Sequence, residues 1–224
     1  MVVKVLIIDD DDNMVQANKA GLSFTKLNDT FETTEAYNCK DAYDIITNPA
    51  NTPYFNVVFL DYSLAGTYPE KKIYNGEDLG VLIRQLMPNT KIVVFTASVD
   101  VIKLHQLAQK INPEGLIIKS DFKIKYLDEI LETILKGGQY LSDTARKAIH
   151  FEKFGKGKLD SIDLTIIKLI AQGYEIKSIA PLVHLTEAGV KKRKSRIHDI
   201  LGVFEKGDQK LLEKCRELLL IPPI

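Results

Sequence analysis

The sequence has few cysteines and no long hydrophobic run, and both shortages narrow the class of protein. Its two cysteines, Cys39 and Cys215, are far apart among 224 residues and outside any metal-binding spacing. They exclude a disulfide framework and predict a reducing compartment. No apolar stretch approaches the roughly 18 residues of a membrane span, and Asp9 to Asp12 interrupt the first one. We therefore expect a soluble, cytoplasmic protein with no signal peptide and no membrane partner.

The chain also lacks a net charge, yet its charges are unevenly distributed. Lysine plus arginine and aspartate plus glutamate each number 30. Residues 1–136 contain 14 basic and 19 acidic residues, a net charge of −5, and residues 137–224 contain 16 and 11, a net charge of +5. This asymmetry predicts an acidic site in the first part and a nucleic-acid partner for the second.

The first part contains a regular alternation of strand and helix patterns. Five such rounds predict an α/β fold, a doubly wound five-stranded parallel sheet, in a first domain at residues 1–136. An unusual loop, residues 64–75, follows the third strand. The predicted strands are 3–8, 31–39, 56–60, 91–95 and 116–118, and the predicted helices are 11–27, 40–47, 76–87, 100–111 and 124–135.

After Gly138 the pattern changes and contains no further strand. Residues 137–158 predict a linker with a short helix at 140–154 and a Gly-Lys tether at 155–158. No strand precedes the tether and no Ser or Thr follows its lysines, so a phosphate-binding loop is disfavoured. The remaining residues, 159–224, predict a small all-α helix-turn-helix domain. Its helical patterns are 160–172, 175–183, 187–201 and 208–220.

Four of the predicted strands end in side chains that are capable of chemistry. Asp61 follows the apolar run 57–60, and the other runs end in Asp9–Asp10, in Thr96 and in Lys119. A lone aspartate after a strand is more often a turn or helix-capping residue. Because the carboxyl ends of parallel strands meet at one edge of a sheet, we expect these acids, the hydroxyl and the amine to converge there.

Convergence of Asp9, Asp10 and Asp61 would bring like charges together and raise their pKa values. A divalent cation removes this repulsion, and hard oxygen ligands with room for water and a phosphate favour Mg²⁺. An ionised Asp61 could then attack a phosphoryl group as a nucleophile. The Lys119 ammonium and the Thr96 hydroxyl suit the equatorial oxygens of the transferred group. The sequence therefore predicts an aspartyl-phosphate site with bound magnesium.

With these residues at these strand ends, residues 3–136 resemble the receiver domain of two-component response regulators, which has a flavodoxin-like fold. The resemblance implies that a sensor histidine kinase supplies the phosphoryl group to Asp61. It also implies that the protein is not an enzyme, beyond the phosphorylation and dephosphorylation of its own Asp61. The implied Mg²⁺ ligands are Asp9, Asp10, Asp61 and the Ser63 carbonyl, and the implied phosphoryl-binding residues are Thr96 and Lys119.

The sequence departs from the receiver pattern beside this site. Leu64 and Ala65 occupy positions where receivers usually have Met-Pro, and the loop after them is longer than usual. Leu116 stands three residues before Lys119, where many receivers have an aromatic switch residue. The usual threonine–aromatic switch is therefore not expected here, although phosphorylation itself is.

The second domain contains a strongly basic helix pattern at its third helix. Four apolar residues recur at near-helical spacing and predict a buried face: Val190, Ile197, Ile200 and Leu201. Basic residues fill most of the other positions from Lys191 to Arg196. Such a helix suits the major groove of double-stranded DNA, and a solvated basic face is the alternative interpretation.

Leu159 to Val203 resembles the LuxR-type helix-turn-helix of the NarL/FixJ class of response regulators. Gly189 stands where that family usually has threonine, Arg193 replaces a frequent histidine, and Pro181 falls inside the second helix. The residues that carry the resemblance are Leu164, Ile167, Leu169, Ala171–Gly173, Ile176, Ile179–Ala180, Leu185–Glu187, Val190–Lys191, Ile197 and Leu201–Val203. The implied DNA-binding residues are Lys191, Lys192 and Ser195, towards the groove, and Arg193, Lys194 and Arg196, towards phosphates.

Together these patterns predict a DNA-binding response regulator that accepts a phosphoryl group on Asp61 and controls transcription. An apolar stripe on the last helix serves either core packing or a homodimer contact; its residues are Leu211, Leu212, Cys215, Leu218 and Leu219. One alternative is a pseudo-receiver adaptor that acts through protein contacts. Another is an aspartate-nucleophile phosphatase, which would need a second acid where the sequence has Ser63.

Overall fold

The computed structural model describes residues 2–51, 55–155, 159–205, 207–218 and 220–221. By its internal contacts the chain divides into two compact units. The first contains Met1–Ser98 and Gln106–Ala145, and the second contains Val99–His105 and Arg146–Ile224. The predicted limits of the two domains, 1–136 and 159–224, stay predictions. Three residues of the predicted tether, 156–158, and Leu219 of the predicted stripe lie outside the described residues.

The first unit is built on one parallel sheet with the strand order β2-β1-β3-β4-β5-β6. Every neighbouring pair of strands is parallel. β3 and β5 are buried along their whole length, as their uninterrupted apolar sequences predict. The strands are β1 (Val2–Ile8), β2 (Thr30–Ala36), β3 (Val57–Asp61), β4 (Lys91–Thr96), β5 (Gly115–Ile118) and β6 (Tyr140–Leu141).

Five helices alternate with the first five strands. They are α1 (Asp12–Ser23), α2 (Cys39–Thr47), α3 (Gly76–Leu86), α4 (Val101–Ile111) and α5 (Leu127–Leu135). Buried residues of α1 and α5 form one hydrophobic core with the sheet, including Val15, Leu22 and Ile130. On α3, a Cβ at Gly80 would lie 3.2 Å from the side chain of Leu60 in β3, so this helix crosses the sheet closely. The predicted doubly wound parallel sheet is confirmed.

Two predicted boundaries in this unit are wrong because polar side chains end the elements early. The second strand stops at Ala36 instead of residue 39, since the Asn38 side chain accepts a hydrogen bond from the Asp41 amide and caps α2. The first helix stops at Ser23 instead of residue 27. Beyond it, the amide of Lys26 donates to the Asp128 carboxylate of α5 rather than to its own helix.

The sheet has six strands rather than the predicted five. Residues 140–141, predicted as the start of a helix, pair with β5. The Tyr140 amide donates to the Glu114 carbonyl and the Ser142 amide donates to the Leu116 carbonyl, at 2.8 and 3.0 Å. The open edge of β5 offers these acceptors, and that tertiary pairing overrides the local helical pattern. The helix begins only at Asp143, as α6 (Asp143–Gly155).

The remainder of the described chain is helical. Pro181 lies in α8, which ends one residue after it, as the sequence predicts. Leu211 and Cys215 of the predicted apolar stripe are buried within the second unit. The helices are α7 (Ser161–Ala171), α8 (Ile176–Leu182), α9 (Glu187–Leu201) and α10 (Asp208–Glu217). None of the helices in the described ranges is long and apolar enough to cross a membrane.

Candidate functional site

Three carboxylates meet at the carboxyl edge of the sheet. Asp9 and Asp10 follow β1 and Asp61 ends β3, and these strands are neighbours because the sheet order places β1 beside β3. One carboxylate oxygen from each lies within 4.8 Å of the others. Asp9 and Asp61 are buried, with 3% and 4% of their surfaces exposed, and Asp10 is open to solvent. The predicted convergence of the acids is present.

The Lys119 ammonium, which directly follows β5, bridges two of these acids. Its Nζ lies 3.0 Å from Asp9 Oδ2 and 3.2 Å from Asp61 Oδ1. Partial burial acts to lower the pKa of Lys119, but the hydrogen bond to Asp9 and the charge of Asp61 outweigh it, so the pKa lies above its usual value. Lys119 therefore remains a cation fixed next to the carboxylate of Asp61.

At Asp61, in contrast to Lys119, the effect of burial on the pKa prevails over that of the neighbouring opposite charge. Its burial raises the pKa most, the neighbouring Lys119 lowers it, and the charge of Asp9 raises it again, with a net pKa above the usual value. The Ser63 amide donates to Asp61 Oδ1 at 3.2 Å and partly offsets this. The single ammonium of Lys119 does not balance the charge of the three carboxylates, so additional positive charge would favour the ionised form of Asp61.

Thr96 lies at the end of β4, between the strands that carry Asp61 and Lys119. Asp61 pairs with Phe95 and Thr96 pairs with Ile118, so the register brings the threonine to the same edge. The residue is fully buried, and its hydroxyl accepts a hydrogen bond from the Ser98 amide at 3.0 Å. Contact of Thr96 with a phosphoryl group stays a prediction, as does metal binding by the Ser63 carbonyl.

The long loop after β3 is a folded structure. Tyr68 and Ile73 form an antiparallel bridge, and the ring of Tyr68 packs edge-on against Tyr43 of α2 with centroids 5.5 Å apart. At its end, a Cβ at Gly76 would lie 1.9 Å from the carbonyl oxygen of Asp61, so only glycine fits there. The loop thus ends against the backbone of the predicted phosphoacceptor. Sequence patterns showed its length but not this contact.

The second unit presents part of the predicted DNA-binding set on α9. Lys191, Lys192 and Ser195 are exposed along the helix. The Thr186 side chain caps this helix by accepting from the Gly189 amide at 3.1 Å, so the glycine that replaces the usual threonine keeps a normal helix start. Because these three side chains are exposed, they can contact a ligand without any rearrangement of the buried residues of the unit.

The other three basic residues of α9 are engaged within the unit. Lys194 forms an ion pair with Asp208 of α10. Arg193 Nη1 lies 2.6 Å from Asp160 Oδ2 and 2.8 Å from Asp163 Oδ1, at the N-terminus of α7. Arg196 lies 3.3 Å from the second oxygen of Asp163. Their predicted contacts with phosphates stay predictions, which would require these side chains to exchange or share partners.

The sequence reasoning did not identify Asp160 and Asp163 as the partners of the basic residues of α9. Asp160 caps α7 by accepting from the Asp163 amide, and Asp163 accepts in return from the Asp160 amide. This reciprocal capping box orients both carboxylates towards α9. Two acids three residues apart before an apolar run are a sequence pattern that predicts a helix cap. The same pattern does not predict that these acids pair with arginines of α9.

No protein-family model and no curated protein matches the chain at the level of sequence. Solved structures are similar in fold. A complex of the two-component response regulator RcsB with DNA is 19% identical, with a TM-score of 0.62, and the match covers 96% of this chain and 98% of that chain. RcsB from Salmonella enterica serovar Typhimurium, bound to promoter P1flhDC in the presence of phosphomimetic BeF₃⁻, is 20% identical, with a TM-score of 0.57 and coverage of 95% and 97%.

A CheY-like response regulator receiver domain protein from Methanospirillum hungatei JF-1 matches the first unit's part of the chain. It is 20% identical, with a TM-score of 0.50, and the match covers 61% of this chain and 96% of that chain. At such identities, the similarity establishes the fold. Along nearly its whole length, this chain has the fold of an RcsB response regulator, a receiver-like α/β unit followed by a helical unit.

Proposed function

We propose that the protein is a DNA-binding response regulator of the NarL/FixJ class, controlled by phosphorylation of Asp61. One observation carries the proposal. A buried aspartate at a strand end lies beside two further acids and 3.2 Å from a lysine ammonium, in a chain that also has an exposed basic helix. The RcsB fold supports the pairing of these two features in one molecule.

The proposed reaction is a phosphoryl transfer from a histidine of a sensor kinase. An oxygen of Asp61 forms a bond to phosphorus as the phosphorus–nitrogen bond of the donor breaks, and the electron pair remains on the imidazole, which takes up a proton. Lys119 is within reach of the transferred oxygens, and Thr96 is a hydroxyl donor at the same edge. Hydrolysis of the acyl phosphate returns Asp61 to its free state. In this proposal both reactions, phosphorylation and dephosphorylation, take place on the protein's own Asp61.

Mg²⁺ fits the residues that are present. Asp9, Asp10 and Asp61 offer hard oxygen ligands within 4.8 Å of one another, and these three carboxylates face one ammonium, that of Lys119. With the Ser63 carbonyl, these residues would hold the ion. When bound, the metal supplies positive charge that neutralises the acids and the incoming phosphoryl oxygens. Asp10 is the exposed member of the set and leaves one side open to solvent.

The proposed output is binding of double-stranded DNA by α9, as a homodimer. Lys191 and Lys192 are exposed and cationic, and Ser195 follows them on the accessible side of the helix. The RcsB structures include DNA complexes, two of them with a phosphomimetic. Phosphorylation at Asp61 would bias an existing equilibrium towards the form that binds DNA.

Labelling of the full-length chain with acetyl phosphate and Mg²⁺ tests the proposal. We expect incorporation of one acid-stable, alkali-labile phosphoryl group in the wild type and none in Asp61→Ala. A matched control is Asp121→Ala, which removes a carboxylate that bonds Thr144 instead of Lys119. Equal labelling of Asp61→Ala and wild type would rule out Asp61 as the acceptor.

The DNA-binding half of the proposal is tested by footprinting across genomic DNA with and without acetyl phosphate. Expected are protected sites that gain occupancy on phosphorylation and disappear in a Lys191→Ala/Lys192→Ala variant. The control is Lys210→Ala, a lysine of α10 paired with Glu213. Footprints that persist unchanged in the double variant, with an unchanged salt dependence, would reject α9 as the DNA-binding element.

A further inference from the structure

The proposed function leaves open how phosphorylation of Asp61 reaches the rest of the chain. The position that many receivers use for an aromatic switch is Leu116, which is fully buried in β5. β6 covers the outer edge of β5 at this point, because Leu116 pairs with Leu141. Leu116 is therefore a core residue of the sheet and not an aromatic side chain that could move between buried and exposed positions.

The residues after β5 form a compact turn that contains the phosphoryl-binding lysine. The Lys119 amide donates to the Thr96 carbonyl at 2.7 Å, which fixes the turn to β4. The Asp121 amide donates to the Ile118 carbonyl at 2.9 Å, and the Phe122 amide donates to the Lys119 carbonyl at 3.3 Å. Lys119 and Asp121 therefore belong to one hydrogen-bonded turn.

The same turn holds the beginning of α6. The Asp121 carboxylate accepts from the Thr144 amide at 2.9 Å and from the Thr144 hydroxyl at 3.0 Å. The Ile118 amide donates to the hydroxyl of the buried Ser142 at 3.1 Å. We refer to these three bonds, from Ile118 and Asp121 to Ser142 and Thr144, as the linker contact. One of them, the bond from the Thr144 amide, satisfies a backbone group in the first turn of α6.

We propose that the linker contact is the route by which the phosphorylation state of Asp61 reaches α6, in place of an aromatic switch. This inference rests on the proposed function. A phosphoryl group on Asp61 adds negative charge beside Lys119, whose ammonium now divides its interaction between Asp9 and Asp61. Rearrangement of Lys119 shifts its turn, and the turn carries the carboxylate that holds the first turn of α6. Two arrangements of the linker contact thus couple the acidic site to the linker helix.

The chain offers a matched control for this contact. Asp128 of α5 accepts from the Thr25 hydroxyl and from the Lys26 amide, the same combination of groups that Asp121 binds. Both carboxylates are half-buried. The Asp128 contact joins α5 to the segment after α1 and has no bond to the Lys119 turn among the described residues. It therefore reports the general effect of losing an aspartate–threonine contact.

Hydrogen–deuterium exchange of the full-length protein, with Mg²⁺ and with or without BeF₃⁻, tests the inference. In the wild type we expect the phosphomimetic to change amide exchange in residues 143–149 by about fivefold or more, the lower end of typical allosteric coupling. Asp121→Ala and Thr144→Val should reduce this change to less than about twofold, while acetyl phosphate still labels Asp61. Asp128→Ala and Thr25→Val should keep the wild-type change.

The outcomes separate this inference from the function on which it rests. Absence of labelling at Asp61 overturns the proposed function, and the inference with it. Labelling with an unchanged response of α6 in Asp121→Ala and Thr144→Val overturns the inference alone, as does equal loss of the response in the Asp128→Ala control. Thermal unfolding verifies that the variants are folded, and Thr144→Val, which replaces the hydroxyl by a methyl group of similar size, decides the result if Asp121→Ala is unfolded.

Discussion

Two clusters in this molecule each have a basic side chain that bridges two carboxylates, and they differ in charge balance. At the sheet edge, Lys119 bridges Asp9 and Asp61 at 3.0 and 3.2 Å, with Asp10 as a third acid nearby. In the helical unit, a cluster of two acids and two arginines joins α7 to α9; its residues are Asp160, Asp163, Arg193 and Arg196. The first cluster has an excess of negative charge and the second is balanced.

The pKa directions follow this difference. Burial and the charge of Asp9 leave the pKa of Asp61 raised in spite of Lys119. Burial also acts to raise the pKa of Asp160, but hydrogen bonds from Arg193 and from the Asp163 amide outweigh it and leave the pKa lowered. A cluster with balanced charges stabilises the fold, whereas the excess of negative charge in the other cluster is consistent with the proposed binding of a cation.

The largest expected effect is in the balanced cluster. Asp163 is fully buried, so Asp163→Asn leaves two arginines without their shared carboxylate. We expect the free energy of unfolding of the second domain to fall by about 3 kcal/mol. Chemical denaturation followed by circular dichroism measures this, with Asp199→Asn, at an exposed position of α9, as the control. Equal stability of Asp163→Asn and wild type would contradict the structural role.

The next largest expected effect is stabilisation of the unbalanced cluster by the proposed Mg²⁺. At a Mg²⁺ concentration 100-fold above the dissociation constant, the free energy of unfolding of the first domain should rise by about 2.7 kcal/mol. Removal of the metal with a chelator should reverse the gain. The variant Asp9→Asn/Asp10→Asn should lose it, because two of the three carboxylates no longer supply charge. Thermal unfolding with and without Mg²⁺ makes the measurement, and an identical gain in this variant would argue against a metal site.

An aspartate-to-asparagine substitution should change the free energy of unfolding in opposite directions in the two clusters. In the absence of metal, Asp61→Asn removes a buried charge that its neighbours do not balance, and we expect the first domain to become more stable by roughly 1 kcal/mol. Asp163→Asn destabilises the second. Parallel denaturation of both variants in the presence of a chelator checks the signs. A loss of stability in Asp61→Asn would show that Lys119 already balances the acidic edge.

The smallest expected effect is a dependence on pH. The folded pKa of Asp160 is lowered, so its stabilising contribution is present above the unfolded pKa of about 3.9 and is lost as the pH falls through the lower folded value. Its side chain is 44% exposed, so screening by solvent keeps the effect below about 1 kcal/mol. Unfolding temperatures of wild type and Asp160→Asn should therefore converge below about pH 4. A constant difference down to pH 2 would contradict this.

Much of the fold was predictable because local patterns and tertiary structure agree. Uninterrupted apolar runs predict buried strands such as β3 and β5, which are covered on both faces. The acids and the lysine at the strand ends were predictable as a group, since parallel topology alone brings carboxyl ends to one edge. Element ends were less predictable. β6 forms because its residues pair with the free edge of β5, which is distant in sequence. A local helical pattern contains no information about that edge.

Helix α9 shows a second limit of prediction from sequence. Sequence spacing could separate the buried residues of α9 from its basic ones. It could not divide the basic residues among themselves, because the partners of Arg193 and Arg196 lie some thirty residues away, at the start of α7. Of the six predicted DNA-binding residues, Lys191, Lys192, Ser195 and Arg196 are exposed, and Arg196 also forms an ion pair with Asp163.

By itself, the sequence determined the doubly wound sheet, the acidic edge with Asp61 and Lys119, and the basic character of α9, because apolar periodicity and the alternation of strand and helix patterns along the chain are local properties. The tertiary structure alone decided which charges balance, which arginines of α9 are engaged, and that Asp121 holds the first turn of α6. These depend on distances between residues far apart in the chain. Electrostatic and hydrogen-bonding energies are set by such distances and by burial.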